Sequence, residues 1–207
     1  ANPFDYQVFI NEDLYNRIEN NGVSLQADVG FDGFSLTSIS SYRNNKMQSN
    51  VDVDFTGAAI FGGNPLEYDI DTYTQELRLA SDGSGRLNWM VGGFYFYEKV
   101  DQNQTIAWGS DARPFFDRLF SGISPTLLSG LETMFMLPNG TSFEAGRGMV
   151  ESAGQTNKAI SVFGQVDFEI VDNLIATGGI NYTNDRKSAY FRQTANTNIF
   201  DTLPLGA

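Results

Sequence analysis

The sequence contains neither cysteine nor histidine. Without cysteine there is no disulfide, no thiolate nucleophile and no Cys-ligated metal. Without histidine, a Ser-His-Asp triad and imidazole-bound zinc or iron are excluded as well. No run of about 18 apolar residues occurs, so nothing reads as a membrane-spanning helix. Residues 1–30 also lack the charged-then-apolar pattern of a secretory signal. The ends, Ala1-Asn2-Pro3 and Pro204-Leu205-Gly206-Ala207, show no terminal strand, and the chain reads as a segment excised from something longer. Basic residues are scarce too. With 13 Lys and Arg against 25 Asp and Glu, the net charge is −12, and no cationic stripe is available to displace counterions from nucleic acid.

What is abundant is aromatic and turn-forming: 17 Phe, 9 Tyr and 21 Gly suit a β-protein with many turns. Three hairpins stand out, over 23–43, 72–98 and 159–185, each made of two alternating apolar/polar segments joined by a short polar turn. Alternation places successive side chains on opposite sheet faces, so each strand has one apolar and one polar side. Long loops, 44–71 and 100–158, join the hairpins at the other end. Short turns at one end and long loops at the other are the layout of an outer-membrane barrel wall. The fold class expected is all-β: an antiparallel up-and-down meander of about six strands, with short helices in a long loop. Asp32-Gly33 suggests a type I′ turn, with φ positive at both residues.

The aliphatic side gathers Leu25, Val29, Leu77, Leu79, Trp89, Val91, Ile160, Val162, Val166, Leu174 and Ile180. The opposite side carries Gln26, Glu76, Arg78, Gln165 and Asn181, which are expected to face a lumen. Ile39, Phe94 and Phe96 break the pattern, because they fall on the side that should be polar. Aromatic residues form two belts. Phe31, Phe34, Trp89 and Phe168 lie near the short turns, and Tyr42, Tyr73, Tyr95, Tyr97 and Tyr182 lie near the long loops. Between Trp89 and Tyr97 the chain climbs roughly 27 Å, or roughly 20 Å vertically if tilted, close to the apolar band of a barrel. A soluble β-sandwich also has one apolar face per strand, but its loops and aromatics do not usually divide in this way.

The stretches FSLTSISSYRNN, DIDTYTQELRLAS, GRLNWMVGGFYFYE and ISVFGQVDFEIVDNLIATGGINYTND resemble the β-barrel of TonB-dependent outer-membrane receptors, above all the large group found in sphingomonads and related bacteria. The matching features are Tyr42-Arg43, Gln75 to Leu79, Gly93 to Phe96, Phe163 to Gln165 and Asn181 to Thr183, in this order, across about Asn16 to Asp185. The resemblance implies a wall segment of a transporter for a scarce nutrient (siderophore, vitamin or glycan). Its partners would be outer-membrane lipid, the rest of the barrel, a plug domain and the TonB system. The plug and TonB-contacting box are not in this sequence, and such a barrel has about 22 strands where six are counted here.

The loops hold the remaining candidates. Ser110 or Asp111 is expected to cap a helix running through Phe116 to Phe120. Ser124-Pro125 should open a second helix with Leu127, Leu128, Leu131, Met134 and Phe135 along one side, ended by Leu137-Pro138-Asn139-Gly140. Trp108, Arg113, Phe115 and Phe116 are the candidates for contacting a small-molecule ligand, with packing of the loop on itself as the alternative. Asp52, Asp54, Asp69 and Asp71 offer oxygen ligands to Ca²⁺, but without EF-hand spacing solvated loop carboxylates are the favoured reading. No cofactor is expected. The competing functions are a soluble carbohydrate-binding module and a carboxylate-based glycoside hydrolase using Asp28, Glu76 or Asp167. An isolated six-stranded piece would leave a large apolar face and two edges open, so pairing into a homodimer is the first expectation. Coverage by its own long loop through Leu127, Leu131 and Phe135, or a sheet folded over into a sandwich, are the alternatives.

Overall fold

The computed structural model describes residues 9–195. Six strands form one sheet in the order β1-β2-β3-β4-β5-β6, every neighbouring pair antiparallel. They are β1 Tyr15–Phe31, β2 Phe34–Asn50, β3 Leu66–Ser81, β4 Leu87–Ala107, β5 Gly148–Val171 and β6 Leu174–Ala195. Two short helices, α1 Ala112–Phe120 and α2 Leu127–Met134, lie between β4 and β5. A second sheet is absent among the described residues, so the architecture is an open meander and not a sandwich.

The tight turns set the register. Phe31 pairs with Phe34 across Asp32-Gly33, and their rings stack at 4.8 Å. Gly33 takes φ +84°, whereas Asp32 is not left-handed. The turn therefore differs from the type I′ expected, and only its second residue needs a conformation that glycine adopts without steric cost. The β5–β6 turn puts the left-handed φ on Asn173 (70°), a residue type that tolerates it, next to a bulge between Glu169 and Val171. In the β3–β4 turn, the Asp82 carboxylate accepts hydrogen bonds from the backbone N–H and the hydroxyl of Ser84.

The strands run well past the expected hairpins. β1 starts at Tyr15, and β5 spans 24 residues, about 80 Å, against the 9–11 residues or so that cross a bilayer. The long loops shrink to 51–65 and 108–147. Much of the added length, as over 44–50 and 102–105, is polar on both faces, so alternation fades there while the ladder continues. Residues 66–71 still alternate, but with Leu66, Tyr68 and Ile70 on the face of Glu76 and Arg78. Polar cross-strand pairs accompany it: Asn44 donates to Asp69 and Asp71, Gln48 to Glu67, and Ser152 to Asn103.

Among the described residues, no element covers either sheet face. Among the described residues the buried apolar side chains are Ile60, Ala112 and Leu128, and all lie between strands. β1 and β6 are exposed along their whole described lengths. The sheet has no core of its own, and its stability must come from what surrounds it.

Candidate functional site

Because directly paired residues share a face, the register assigns every strand side chain. Leu25, Ser40, Gln75, Tyr95 and Ile160 form one row, and Leu77, Gly93, Val162 and Tyr182 another. All eleven aliphatic-side residues named above, Trp89 among them, fall on this one face, together with Phe31, Phe34 and Phe168 at the turn end and the five tyrosines toward the loops. Gln26, Glu76, Arg78, Gln165 and Asn181 share the other face, as do Ile39, Phe94, Phe96 and Phe163. Polar atoms inside the aliphatic band satisfy one another: Ser40 donates to Gln75, and the Gln75 amide donates to Ser38 at 3.1 Å. The tyrosine belt is tied in as well, with the Tyr42 hydroxyl 2.6 Å from Asp71 and the Lys158 ammonium 5.6 Å from the Tyr97 ring centre.

On the polar face, Asn20, Ser24, Ser41, Arg43, Thr74 and Glu98 line a cleft of about 680 Å³. It was not singled out from the sequence, since isolated polar strand residues give no signal until registered side by side. The carboxylates considered for hydrolysis do not converge. Asp28 on β1 and Asp167 on β5 are four strands apart and four residues out of row, more than ~20 Å and beyond the ~5–9.5 Å that glycosidic cleavage requires. Asp28 accepts from Thr37 and Gln26, Asp167 from Thr177 and Gln165, and Glu76 lies 3.5 Å from Arg78.

The two long loops form one lobe. Phe61 and Trp108 make a β-bridge, Gly109 N–H donates to Ile60 O, and Asp111 takes Ala59 through both backbone and carboxylate. A Cβ on Gly109 would lie 2.0 Å from the Ala59 carbonyl oxygen, which explains glycine at this crossing. Asp111 thus stands at the N-cap of α1, but its carboxylate is spent on the neighbouring loop and not on capping. α2 starts at Leu127 with Thr126 at its N-cap, two residues later than the Ser124-Pro125 start expected. It ends before Met136, which turns left-handed at φ 56°.

Of the four ligand-contact candidates, three are built into this lobe. The Phe116 ring stacks on Phe143 at 3.9 Å, and Trp108 meets Phe61, Phe116 and Phe143 within 5.7 Å. Arg113 bridges Asp117 at 2.9 Å and Glu132 at 2.6 Å. Phe115 is 44% exposed and remains on the surface beside Leu119. Glu132, fully buried, also accepts from the backbone N–H of Gly140 and Ser142. Burial opposes its ionisation, but the Arg113 guanidinium and these N–H donors outweigh it and hold the carboxyl at about 2.

The four aspartates expected in one loop do not gather: Asp52 and Asp54 lie in the 51–65 loop, whereas Asp69 and Asp71 lie on β3. Asp52 and Asp54 accept backbone N–H groups of their own loop; Asp69 is engaged by Asn44 and Lys46, and Asp71 by Tyr42 and Asn44. Among the described residues, no group of acidic side chains is arranged to hold a metal ion.

An open antiparallel wall with aromatic belts on one face, tight turns at one end and a structured lobe at the other has the fold of one sector of a receptor β-barrel. No family model matches the chain. Its backbone is similar to the crystal structure of the ferric yersiniabactin uptake receptor FyuA from Yersinia pestis, with a TM-score of 0.61 and 13% identity, over 89% of this chain and 23% of that one. A second solved structure, the siderophore receptor PiuA from Acinetobacter baumannii, is matched at TM-score 0.38 and 12% identity, over 91% of this chain and 31% of that one. The chain therefore spans less than a third of the length of either receptor, and at 13% identity the likeness to the first is one of fold.

Proposed function

We propose that the chain is a wall sector of a TonB-dependent outer-membrane receptor, resembling those of sphingomonads, that takes up a siderophore, vitamin or glycan. One observation carries this reading: the register collects the aliphatic residues and both aromatic belts on a single face that nothing among the described residues covers. Such a face suits lipid, with tyrosine and tryptophan at the headgroup levels. The other face then lines the lumen with Gln26, Glu76, Arg78, Gln165 and Asn181. Half-buried Phe94, Phe96 and Phe163 on that face suit a lumen filled by a plug domain better than an open water channel. The TonB system would act through that plug. In this reading, the hairpins and loops form one barrel segment without catalytic role. The lobe stands at the outer mouth, where Phe115 offers ligand contact while Trp108, Arg113 and Phe116 hold its shape.

Expressed with its flanking sequence in a Gram-negative host, the protein should fractionate with the outer membrane and migrate differently before and after boiling. Recovery in the aqueous phase without detergent would refute the assignment. The 207-residue piece alone, freed of detergent, should scatter light as a dimer, since one two-fold contact can satisfy both a strand edge and the apolar face. A stable monomer at high concentration would exclude that pairing.

A further inference from the structure

The aliphatic face changes character just beyond the tyrosine belt. In the row Tyr42–Tyr73–Tyr97–Lys158–Arg186, the last two residues are directly paired cations on adjacent strands. Like charges in this position repel and destabilise a sheet unless something neutralises them. Nothing in the described residues does. Neither cation has an ion pair: Lys158 has only the Tyr97 ring beneath it, and the nearest cation above, Lys99, is committed to Asp101 at 2.5 Å. The chain neighbours of Arg186, Asp185 and Lys187, point to the opposite face and lie 3.9 Å from one another. Both cations are exposed.

We propose that the Lys158–Arg186 pair, standing on the tyrosine belt, binds the phosphate headgroup of a membrane lipid. The inference rests on the barrel reading, which places this belt at the lipid headgroups. A phosphate between the two side chains removes their repulsion and gives each a charge-assisted hydrogen bond. Tyr97 carries the Lys158 stem and orients its ammonium by a cation–π contact. A lipid is favoured over a free anion because the pair sits on the same face as the aliphatic band, so an acyl chain can run down past Ile160 and Val162 while its phosphate stays at the belt.

The test uses the full-length receptor reconstituted in phosphatidylcholine vesicles with and without phosphatidylglycerol, then extracted and weighed with its bound lipid by native mass spectrometry. The wild type should retain phosphatidylglycerol preferentially. The double variant Lys158→Gln/Arg186→Gln should lose that preference by about thirtyfold, as expected for two interfacial cations. Lys187→Gln, next along the strand but on the other face, should retain it. Equal retention by the double variant, or equal loss in Lys187→Gln, overturns the site. Displacement of the lipid by millimolar inorganic phosphate overturns the lipid assignment in favour of a bare anion site. Insertion of the wild type is scored separately by its shift on boiling. A failure there defeats the barrel reading, whereas insertion without charge-dependent lipid retention defeats only this inference.

Discussion

In the proposed outer-membrane barrel, Val162→Arg should impair insertion of the full-length protein, while Gln165→Arg should insert nearly as well as the wild type. Val162 lies in a row with Leu77, Gly93 and Tyr182 on the aliphatic face, and is 55% exposed with no covering element among the described residues. Gln165 lies three residues along the same strand, on the opposite face. An arginine facing lipid near the bilayer midplane costs roughly 2–4 kcal/mol in a barrel; one facing the lumen stays hydrated. Urea unfolding in lipid vesicles, followed by the migration shift on boiling, separates the two. If both variants lose the same stability, the aliphatic face does not meet lipid and the barrel assignment falls with it.

The faces were legible in the sequence because alternation needs no tertiary information: a residue's parity decides its side, the tight turns carry that parity within each hairpin, and the apolar side of each strand carries it across the long loops. This is why Leu25 and Ile180, on opposite edges of the sheet, could be assigned to one face. Ile39, Phe94 and Phe96 look like errors of pattern, yet they do lie on the polar face. Strand length was not legible, since from Asn44 to Asn50 or Gln102 to Thr105 both faces are polar and periodicity has nothing to report. The clasp between the two long loops was hidden for a related reason. The Phe61–Trp108 bridge joins residues with no pattern between them, and it draws Asp111 away from the capping role its position suggests. One buried group did leave a trace. Glu132 follows Leu131 and lies four residues after Leu128, so a carboxylate sits where α2 turns inward. A charge there requires a partner, and Arg113 is the partner the fold supplies.

Glu132→Ala should release the helical lobe while leaving the wall intact. The carboxylate is fully buried and holds three groups at once, Arg113 at 2.6 Å, Ser142 N–H at 2.7 Å and Gly140 N–H at 3.0 Å. Removing it leaves the mostly buried Arg113 without its innermost partner, a loss on the order of 3–5 kcal/mol for a broken buried pair. Hydrogen exchange over 108–147 should quicken by orders of magnitude, with β4 and β5 protected as before. Acid should do the same reversibly. The Glu132 carboxyl is depressed from 4.5 to about 2, so its contribution is complete above pH 4.5 and is lost as pH falls toward 2. The apolar pair Arg113→Leu/Glu132→Leu should recover part of the loss, because it removes both charges together and leaves neither ion stranded. Exchange in Glu132→Ala at the wild-type rate would show that the aromatic cluster of Trp108, Phe116 and Phe143 holds the lobe without the ion pair.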